Sequence, residues 1–203
     1  MSYPKAFLDI VNSFRQLPGV GQKTAERYAF AVLEMDDVAV KEFSESLTNS
    51  YTTLRNCQLC GFLTANDTCE FCQDQKRDQS TICIVSYDKD VIAMENTKAY
   101  QGLYHVLKGV ISTSKGTLPE DLNFNSLLKR LDNIKEVIIA TSFTLEGETT
   151  ALYLSKLLAS FPNITISRLA HGLPVGSQLD YADELTLMKA MHDRKQLKDE
   201  SEN

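Results

Sequence analysis

Residues 17–30 read LPGVGQKTAERYAF, and this stretch decides how the N-terminal part of the chain folds. Gly19 and Gly21 flank a single apolar residue directly after Pro18, and proline and glycine together end a helix sharply. Apolar residues recur at helical spacing on both sides of this break. The pattern therefore predicts two helices joined by a tight turn.

A third helix is predicted to follow, from about Asp37 to Leu54. Its apolar positions fall on one helical face, and we expect that face to point inward. These positions are Val40, Phe43, Leu47 and Leu54.

The glycine turn has the chemistry of a phosphate-binding site. A Gly-Val-Gly turn exposes successive backbone N–H groups, and the N-terminus of the next helix adds further N–H groups and a partial positive charge. Lys23 and Arg27 lie four residues apart and share a helical face beside the turn. We therefore predict salt-sensitive, sequence-independent DNA binding through Gly19, Gly21, Lys23 and Arg27. The alternative is a helix corner whose glycines serve packing alone.

The composition is that of a soluble globular protein. The chain has 203 residues, of which 43% are apolar and 24% charged, with a formal net charge of −6. No apolar run is long enough to span a bilayer and the N-terminus lacks a signal core, so we predict a cytoplasmic protein without membrane contact. Local charge decides binding, and residues 1–28 carry four basic residues against two acidic ones. The polar tail at 198–203, KDESEN, is expected to be frayed.

Four cysteines are spaced as metal ligands. Cys57-x2-Cys60 is followed by Cys69-x2-Cys72, so two tight turns each present two thiolates to one ion. This spacing predicts one zinc per chain, and four thiolates leave no open position for catalysis, so the metal is structural. A set of buried or disulfide-paired cysteines is the alternative, which a reducing compartment disfavours. Cys83 lies in the apolar run TICIV and is expected to be a core residue.

The rest of the chain alternates apolar runs with amphipathic stretches, which is typical of an α/β fold with a parallel sheet. The predicted strands are Thr81–Val85, Val137–Ala140 and Ile164–Ser167. The predicted helices lie near Asp90–Glu95, Phe124–Leu131, Glu148–Ser160 and Tyr181–Arg194. The last of these carries Leu185, Met188 and Met191 on one side, which we assign to core or subunit packing.

The stretch ATSFTLEGE at 140–148 follows a predicted strand and precedes a helix, at the sheet edge where ligands of such folds bind. It resembles the acidic loop of Toprim domains, in which an Asp-x-Asp and a glutamate after the first strand help hold magnesium. Here Ser142, Thr144 and Ser86 stand at those positions. Hydroxyls cannot replace carboxylates as ligands of a hard dication, so we predict a Toprim scaffold without catalysis.

Glu146 and Glu148 remain in this loop. They match the positive N-terminus of the following helix, which is a purely structural role for them. A metal-dependent enzyme that uses them together with Asp88 or Asp90 is the alternative function.

The motifs occur in the order LPGVGQKTAERYAF, CQLC…CEFC, TICIV…DVIAME, YQGLYHVL, PEDL, ATSFTLEGE and RLAHGLPVGSQLDYADELTL. With this order the chain resembles the RecR family of bacterial recombination mediators over nearly its whole length. The resemblance implies a non-enzymatic repair protein with a helix-hairpin-helix. Such proteins bind DNA and act with RecO, and in some settings RecF, to load recombinase on single strands coated by single-strand binding protein.

The resemblance also implies an assembly and its contacts. Family members form ring-shaped homotetramers that clamp DNA, so Lys23 and Arg27 would line the ring. Their Toprim face contacts RecO, which makes Glu146 and Glu148 candidate partner-binding residues. A pure protein-interaction scaffold is a further alternative. One departure is Lys108, which stands where the family usually has a glycine.

The predicted organisation has four parts: a helix-hairpin-helix DNA-binding domain at 1–54, a four-cysteine zinc finger at 55–78, a Toprim domain at 79–175, and a C-terminal oligomerisation segment with an acidic tail at 176–203.

Overall fold

The computed structural model describes residues 3–170 and 172–194. The acidic tail and His171 lie outside the described residues. The chain forms two compact units that divide between Leu54 and Arg55. Each unit is described by itself below.

The N-terminal unit contains three helices: α1 (Lys5–Arg15), α2 (Gln22–Leu33) and α3 (Asp37–Thr53). Helices α1 and α2 pack against each other around a small buried cluster. Its members are Phe7, Val11, Ala25 and Ala29, with Ile10, Phe14 and Val20 packed against them. Because Val20 lies between the two glycines, its side chain ties the turn to this cluster. The predicted pair of helices is therefore present.

Helix α3 differs from the expectation. Asp36 caps it by accepting a hydrogen bond from the Ala39 N–H at 2.8 Å. The predicted inward-facing positions were wrong, because α3 has no buried residue. Phe43 is 42% exposed and Leu47 59%, and Val40 and Leu54 are exposed as well. The apolar pattern is real, but within the described residues of this single chain nothing covers it.

The C-terminal unit contains the remaining elements. A two-stranded antiparallel hairpin and a short helix surround the cysteines: β1 (Arg55–Asn56), β2 (Leu63–Thr64) and α4 (Glu70–Gln73). A parallel α/β layer follows: β3 (Asp78–Val85), α5 (Asp88–Asn96), β4 (Gly102–Val106), α6 (Phe124–Leu128), β5 (Glu136–Ile139), α7 (Leu145–Leu158) and β6 (Thr165–Arg168). Short 3-10 turns at Pro119–Asp121 and Leu179–Tyr181 precede α6 and α8 (Glu184–His192).

Four parallel strands form the central sheet in the order β4-β3-β5-β6. The α/β class with a parallel sheet is confirmed, and each of the three predicted strands overlaps an observed one. Strand β4 was not predicted, because its run Gly102–Val106 contains tyrosine and histidine among its apolar residues.

The inner strand β3 shows why both faces of the sheet are covered. Ile82 and Ile84 point to one face and pack in a cluster that includes α6 and α7 residues. Cys83 and Val85 point to the other face, where they pack with α5 and with the cysteines predicted to bind metal. The alternation of a strand thus assigns α6 and α7 to one face, and α5 with the cysteine module to the other. Cys83 is a core residue as predicted, and burial raises the pKa of its thiol to about 12.

Helix α8 lies inside the predicted segment Tyr181–Arg194. Asp183 caps it by accepting from the Thr186 N–H at 2.9 Å. Its side chains Leu185, Met188 and Met191 are exposed, so they do not belong to the core of the chain. Among the described residues, no helix has the length and apolar character required to cross a membrane.

Candidate functional site

The glycine turn is open to solvent. Gly19 has φ +78°, in the left-handed region that favours glycine, while Gly21 is the extended N-cap of α2. A Cβ atom at either position would meet no atom within 4 Å, so the turn leaves room for a ligand to approach its backbone closely. The first helical bond of α2 runs from the Ala25 N–H to the Gly21 carbonyl at 3.0 Å. The N–H groups of Gln22, Lys23 and Thr24 therefore have no intrahelical acceptor. Within the turn, however, the Val20 N–H is not exposed for binding, because it donates to the Leu17 carbonyl at 3.1 Å.

Two cations flank these N–H groups. Lys23 lies in the first turn of α2 and Arg27 one turn later, and both side chains are exposed. Within the described residues neither forms an ion pair, whereas the neighbouring Glu26 is held by the Gln22 amide at 2.5 Å. Arg27 lies 5.6 Å from the Tyr28 ring centroid, which fixes the stem of its side chain along the helix. The arrangement presents positive charge and free N–H groups on one exposed surface.

The four predicted metal ligands come together. The Sγ atoms of Cys57, Cys60, Cys69 and Cys72 all lie within 4.8 Å of one another. Tetrahedral zinc with Zn–S bonds of about 2.3 Å needs sulfur atoms about 3.8 Å apart, so this donor set fits the ion. All five cysteines are free thiols. This excludes a disulfide framework and is compatible with a metal site.

Backbone N–H groups already point at the sulfurs. The Phe62 N–H donates to Cys60 Sγ at 3.4 Å and the Cys69 N–H to Cys57 Sγ at 3.3 Å. Such bonds orient the two sulfur atoms as metal ligands. The hydrogen bond from Cys60 lowers the pKa of the Cys69 thiol. Zinc bound here would hold the two turns together as a structural ion.

The cysteine module is attached to the sheet at several points. The Val106 N–H at the end of β4 donates to the Cys60 carbonyl at 2.7 Å. Arg77 stacks over the rings of Phe71 and Tyr104, at 4.9 and 5.6 Å from their centroids, and pairs with Glu95 at 2.5 Å. The module and the sheet are therefore packed as one structure.

Residues of the loop at 140–148 form hydrogen bonds that cap the N-terminus of α7. Thr144, one of the Asp-x-Asp positions, is the N-cap of α7 and accepts from the Gly147 N–H at 3.2 Å. Thr141 donates its hydroxyl proton to the Gly147 carbonyl at 2.8 Å. Ser142 is exposed, and its carbonyl oxygen lies so close to Gly147 that a Cβ there would be only 1.9 Å away. The loop is thus shaped by its own backbone contacts.

Most of the acids that could hold magnesium have partners within the chain. Glu148 Oε1 accepts from Arg168 Nη2 at 3.1 Å and lies 3.7 Å from Lys189 Nζ. Asp88 binds the Lys108 ammonium with both oxygens, at 2.9 and 2.8 Å. Asp90 accepts from the Tyr87 N–H at 2.8 Å and so caps α5. Among the described residues these carboxylates form no group close enough to share a metal.

Glu146 differs from the other three acids. It lies half-buried in the first turn of α7, and the described residues offer its carboxylate no ion pair. The preceding Leu145 is 81% exposed. Ser86, at the end of β3, is fully buried, and its hydroxyl has no hydrogen-bond partner within the described part of the chain. A carboxylate at that position would be buried as well.

The cationic partners of these acids were not predicted from the sequence. Arg168, Lys189 and Lys108 are distant from their carboxylates along the chain, so spacing gives no signal for the pairs. Only Lys108 had a signal in the sequence, because it stands where the family usually has a glycine. In the structure it adopts φ +65°. It keeps that unfavourable backbone conformation while its ammonium neutralises Asp88.

Comparison with known proteins agrees with this architecture. The model described as "RecR, helix-hairpin-helix" matches residues 8–50, the Toprim domain model residues 80–170 and the model "RecR, C-terminal" residues 172–195. The Recombination protein RecR of Leuconostoc mesenteroides subsp. mesenteroides is 52% identical over 202 residues, which covers 97% of this chain and 100% of that protein. The Recombination protein RecR of Enterococcus faecalis is 50% identical over 199 residues, again covering 97% of this chain and 100% of the relative. Identity at this level over whole chains, together with the hairpin, cysteine cluster and parallel sheet, shows that the chain belongs to the RecR family.

Proposed function

We propose that this chain is a DNA-binding recombination mediator that acts without catalysis. In this role it binds DNA phosphates through Gly19, Gly21, Lys23 and Arg27. It works with RecO, and in some settings RecF, to load recombinase on single-stranded DNA coated by single-strand binding protein. The proposed form is a ring-shaped homotetramer that clamps DNA, located in the cytoplasm at the bacterial nucleoid.

One observation carries the DNA-binding part of this proposal. The exposed turn at Gly19 and Gly21 presents N–H groups without an intrahelical acceptor, and the helix that follows carries two cations that form no ion pair with the described residues. Phosphate oxygens bind such a surface whatever the base sequence, since every contact is to the backbone of DNA.

The test is a fluorescence-anisotropy titration of single- and double-stranded oligonucleotides at two salt concentrations. Lys23→Ala with Arg27→Ala should weaken binding at least about tenfold at low salt and reduce the salt dependence by about two counterions. The matched control is Lys129→Ala with Lys156→Ala, which removes the same charge from the C-terminal unit. Equal losses in the two double variants would mean that only net charge matters, and the hairpin assignment would then fail.

Support for a non-catalytic Toprim domain comes from the residues themselves. Hydroxyls occupy the metal-binding positions at Ser86, Ser142 and Thr144, and the nearby acids Glu148 and Asp88 are neutralised by cations of the chain. A hard dication needs several free carboxylate oxygens. We therefore expect no product in a magnesium-supplemented nuclease or strand-passage assay. Cleavage or strand passage that disappears in Glu148→Gln would favour the enzymatic alternative.

Zinc is proposed as the resident metal of the cysteine cluster. Its role is to hold the two turns of a module too small to build its own core. One zinc ion per chain is expected in metal analysis of protein purified without chelator. Protein that folds fully and contains no zinc would contradict this assignment.

Glu146 is the acid we propose for contact with RecO. Unlike Glu148, it has no ion pair among the described residues, and the exposed Leu145 lies beside it. Together they offer a partner both an apolar contact and a carboxylate that the described residues do not neutralise. Leu145→Ala with Glu146→Gln should reduce capture of RecO in a pull-down while DNA affinity is unchanged. Glu120→Gln, an exposed acid elsewhere on the unit, is the control, and equal capture by all variants would refute the contact.

A further inference from the structure

A cavity of the C-terminal unit lies between the end of β6 and helix α8, and the proposed function gives it no role. Its volume is about 670 Å³. The charged lining consists of Arg168, Lys189, Glu148 and Asp193, with His192 beside them, and the apolar lining of Leu169, Ala170 and Met188. The volume falls in the range of pockets for small organic ligands, and the lining combines apolar side chains with charged groups.

Arg168 is the unusual member of this lining. Its side chain is 24% exposed, and only Nη2 has a hydrogen bond, to Glu148 at 3.1 Å. Within the described residues, Nε and Nη1 are buried and have no acceptor. The Phe143 ring lies 5.2 Å from Cζ, but a ring satisfies the face of a guanidinium and leaves the in-plane N–H groups without acceptors. Buried N–H groups of a cation without acceptors are costly and point to a missing anion.

The charges around Arg168 restrict the kind of anion. Lys189 adds a second cation, but Glu148 and Asp193 each bring a negative charge to the same wall. A phosphate dianion would meet about twice the repulsion from these two carboxylates that a carboxylate monoanion meets. The flat fork of a carboxylate matches guanidinium geometry, and the apolar side of the cavity accepts a hydrocarbon group attached to it.

We propose that this cavity binds an organic monocarboxylate with an apolar group, held at its charged end by Arg168 and Lys189. The ligand is a free small acid or the carboxyl terminus of a polypeptide that ends in an apolar residue. Both present the same chemistry. This goes beyond the proposed DNA-binding function and does not depend on it.

Calorimetric titration of the full chain in the absence of DNA tests the proposal. The probes are isocaproate, its uncharged amide isocaproamide and isoamyl phosphate. The peptide arm uses acetyl-Ala-Leu with a free or an amidated carboxyl terminus. Each acid that binds should do so at least about tenfold more tightly than its amide, because the amide cannot pair with the two cations. Binding of isocaproate alone assigns the site to small acids, and binding of the free-carboxyl peptide alone assigns it to polypeptide termini.

Variants separate this site from non-specific attraction. Lys189→Ala should weaken the acid at least about fivefold, and Arg168→Lys, which keeps the charge but loses the planar fork, should weaken it about tenfold. Lys156→Ala is the matched control, since this exposed lysine lies on α7 outside the cavity. The proposal is overturned by equal affinity for acid and amide, by a preference for isoamyl phosphate, by no binding of any acid, or by unchanged affinity in Lys189→Ala. Failure here leaves the DNA titrations of the hairpin variants unaffected.

Discussion

Gly147 shows how a single residue shapes the loop at the carboxyl edge of the sheet. An added Cβ would lie 1.9 Å from the Ser142 carbonyl oxygen, and the Gly147 N–H also donates to Thr144 Oγ1 in the cap of α7. We expect Gly147→Ala to lower the free energy of unfolding by about 3 kcal/mol, measured by urea unfolding. Gly172→Ala is the control, because no atom lies within 4 Å of its Cβ, and its change should stay within about 0.5 kcal/mol. Similar unfolding midpoints for the two variants would contradict the close approach.

His105 gives the chain a defined acid sensitivity. It is fully buried in β4, where its Nε2–H donates to the Asn123 carbonyl at 2.6 Å and its Nδ1 accepts from Arg130 at 3.3 Å. Burial lowers the pKa of His105 to about 4. The unfolded chain, with a histidine pKa of about 6.5, therefore binds the proton first as the pH falls. The stability that neutral His105 provides is complete above pH of about 6.5 and is lost toward about 4.

The expected loss from this histidine is about 2 kcal/mol between pH 7 and pH 5. His105→Asn removes the titration, so the stability difference between the native chain and this variant should narrow by that amount over the same interval. Urea unfolding at both pH values measures it. The cysteine module titrates in both proteins and cancels from the difference. Parallel pH dependences would show that folding does not lower the pKa of His105.

At the scale of elements, the cysteine module and the sheet depend on each other. Cys57, Cys60 and Cys69 are buried in the same cluster as Val85 and Tyr104 of the sheet. Cys60→Ser should therefore abolish zinc binding and also reduce hydrogen-exchange protection in β4, beyond the module itself. Cys83→Ala separates packing from metal, since it should keep one zinc and lose only about 1 kcal/mol of stability. Full β4 protection in metal-free Cys60→Ser would show that the sheet is independent of the module.

The elements that could be predicted from sequence are those whose pattern is local. Apolar runs predicted three strands of the sheet, and paired Cys-x2-Cys spacings predicted the metal cluster. Strand β4 was not predicted, because Tyr104 and His105 interrupt its apolar run with polar atoms. Inside the protein these atoms form hydrogen bonds with Glu95 and Asn123. The same limit applies to the candidate site, where the partners of Glu148 and Asp88 come from remote parts of the chain. Helix α3 shows a different limit of the sequence. Its apolar face predicts burial, but the sequence does not indicate which chain packs against that face.

At the scale of the whole molecule, exposed apolar faces on α3 and α8 are what subunit packing would cover. Leu47 on α3 and Met191 on α8 are each about three-fifths exposed, at 59% and 65%. In the proposed ring, several hairpins contact one DNA molecule, so affinity exceeds that of one protomer by avidity. Leu47→Glu and Met191→Glu each place a charge in a face that the proposed assembly would bury. They should lower the mass measured by light scattering and weaken DNA binding more than about tenfold, although Lys23 and Arg27 are unchanged.

The control for this prediction is Ile92→Glu, which introduces the same charge at an exposed apolar position of α5. It should keep both the mass and the DNA affinity of the native chain, because α5 has no part in the proposed assembly. Measuring mass and affinity on the same samples links the two quantities, since avidity requires that they fall together. A smaller species that binds DNA as tightly as the native protein would show that one hairpin suffices, and the clamp would then have no energetic basis.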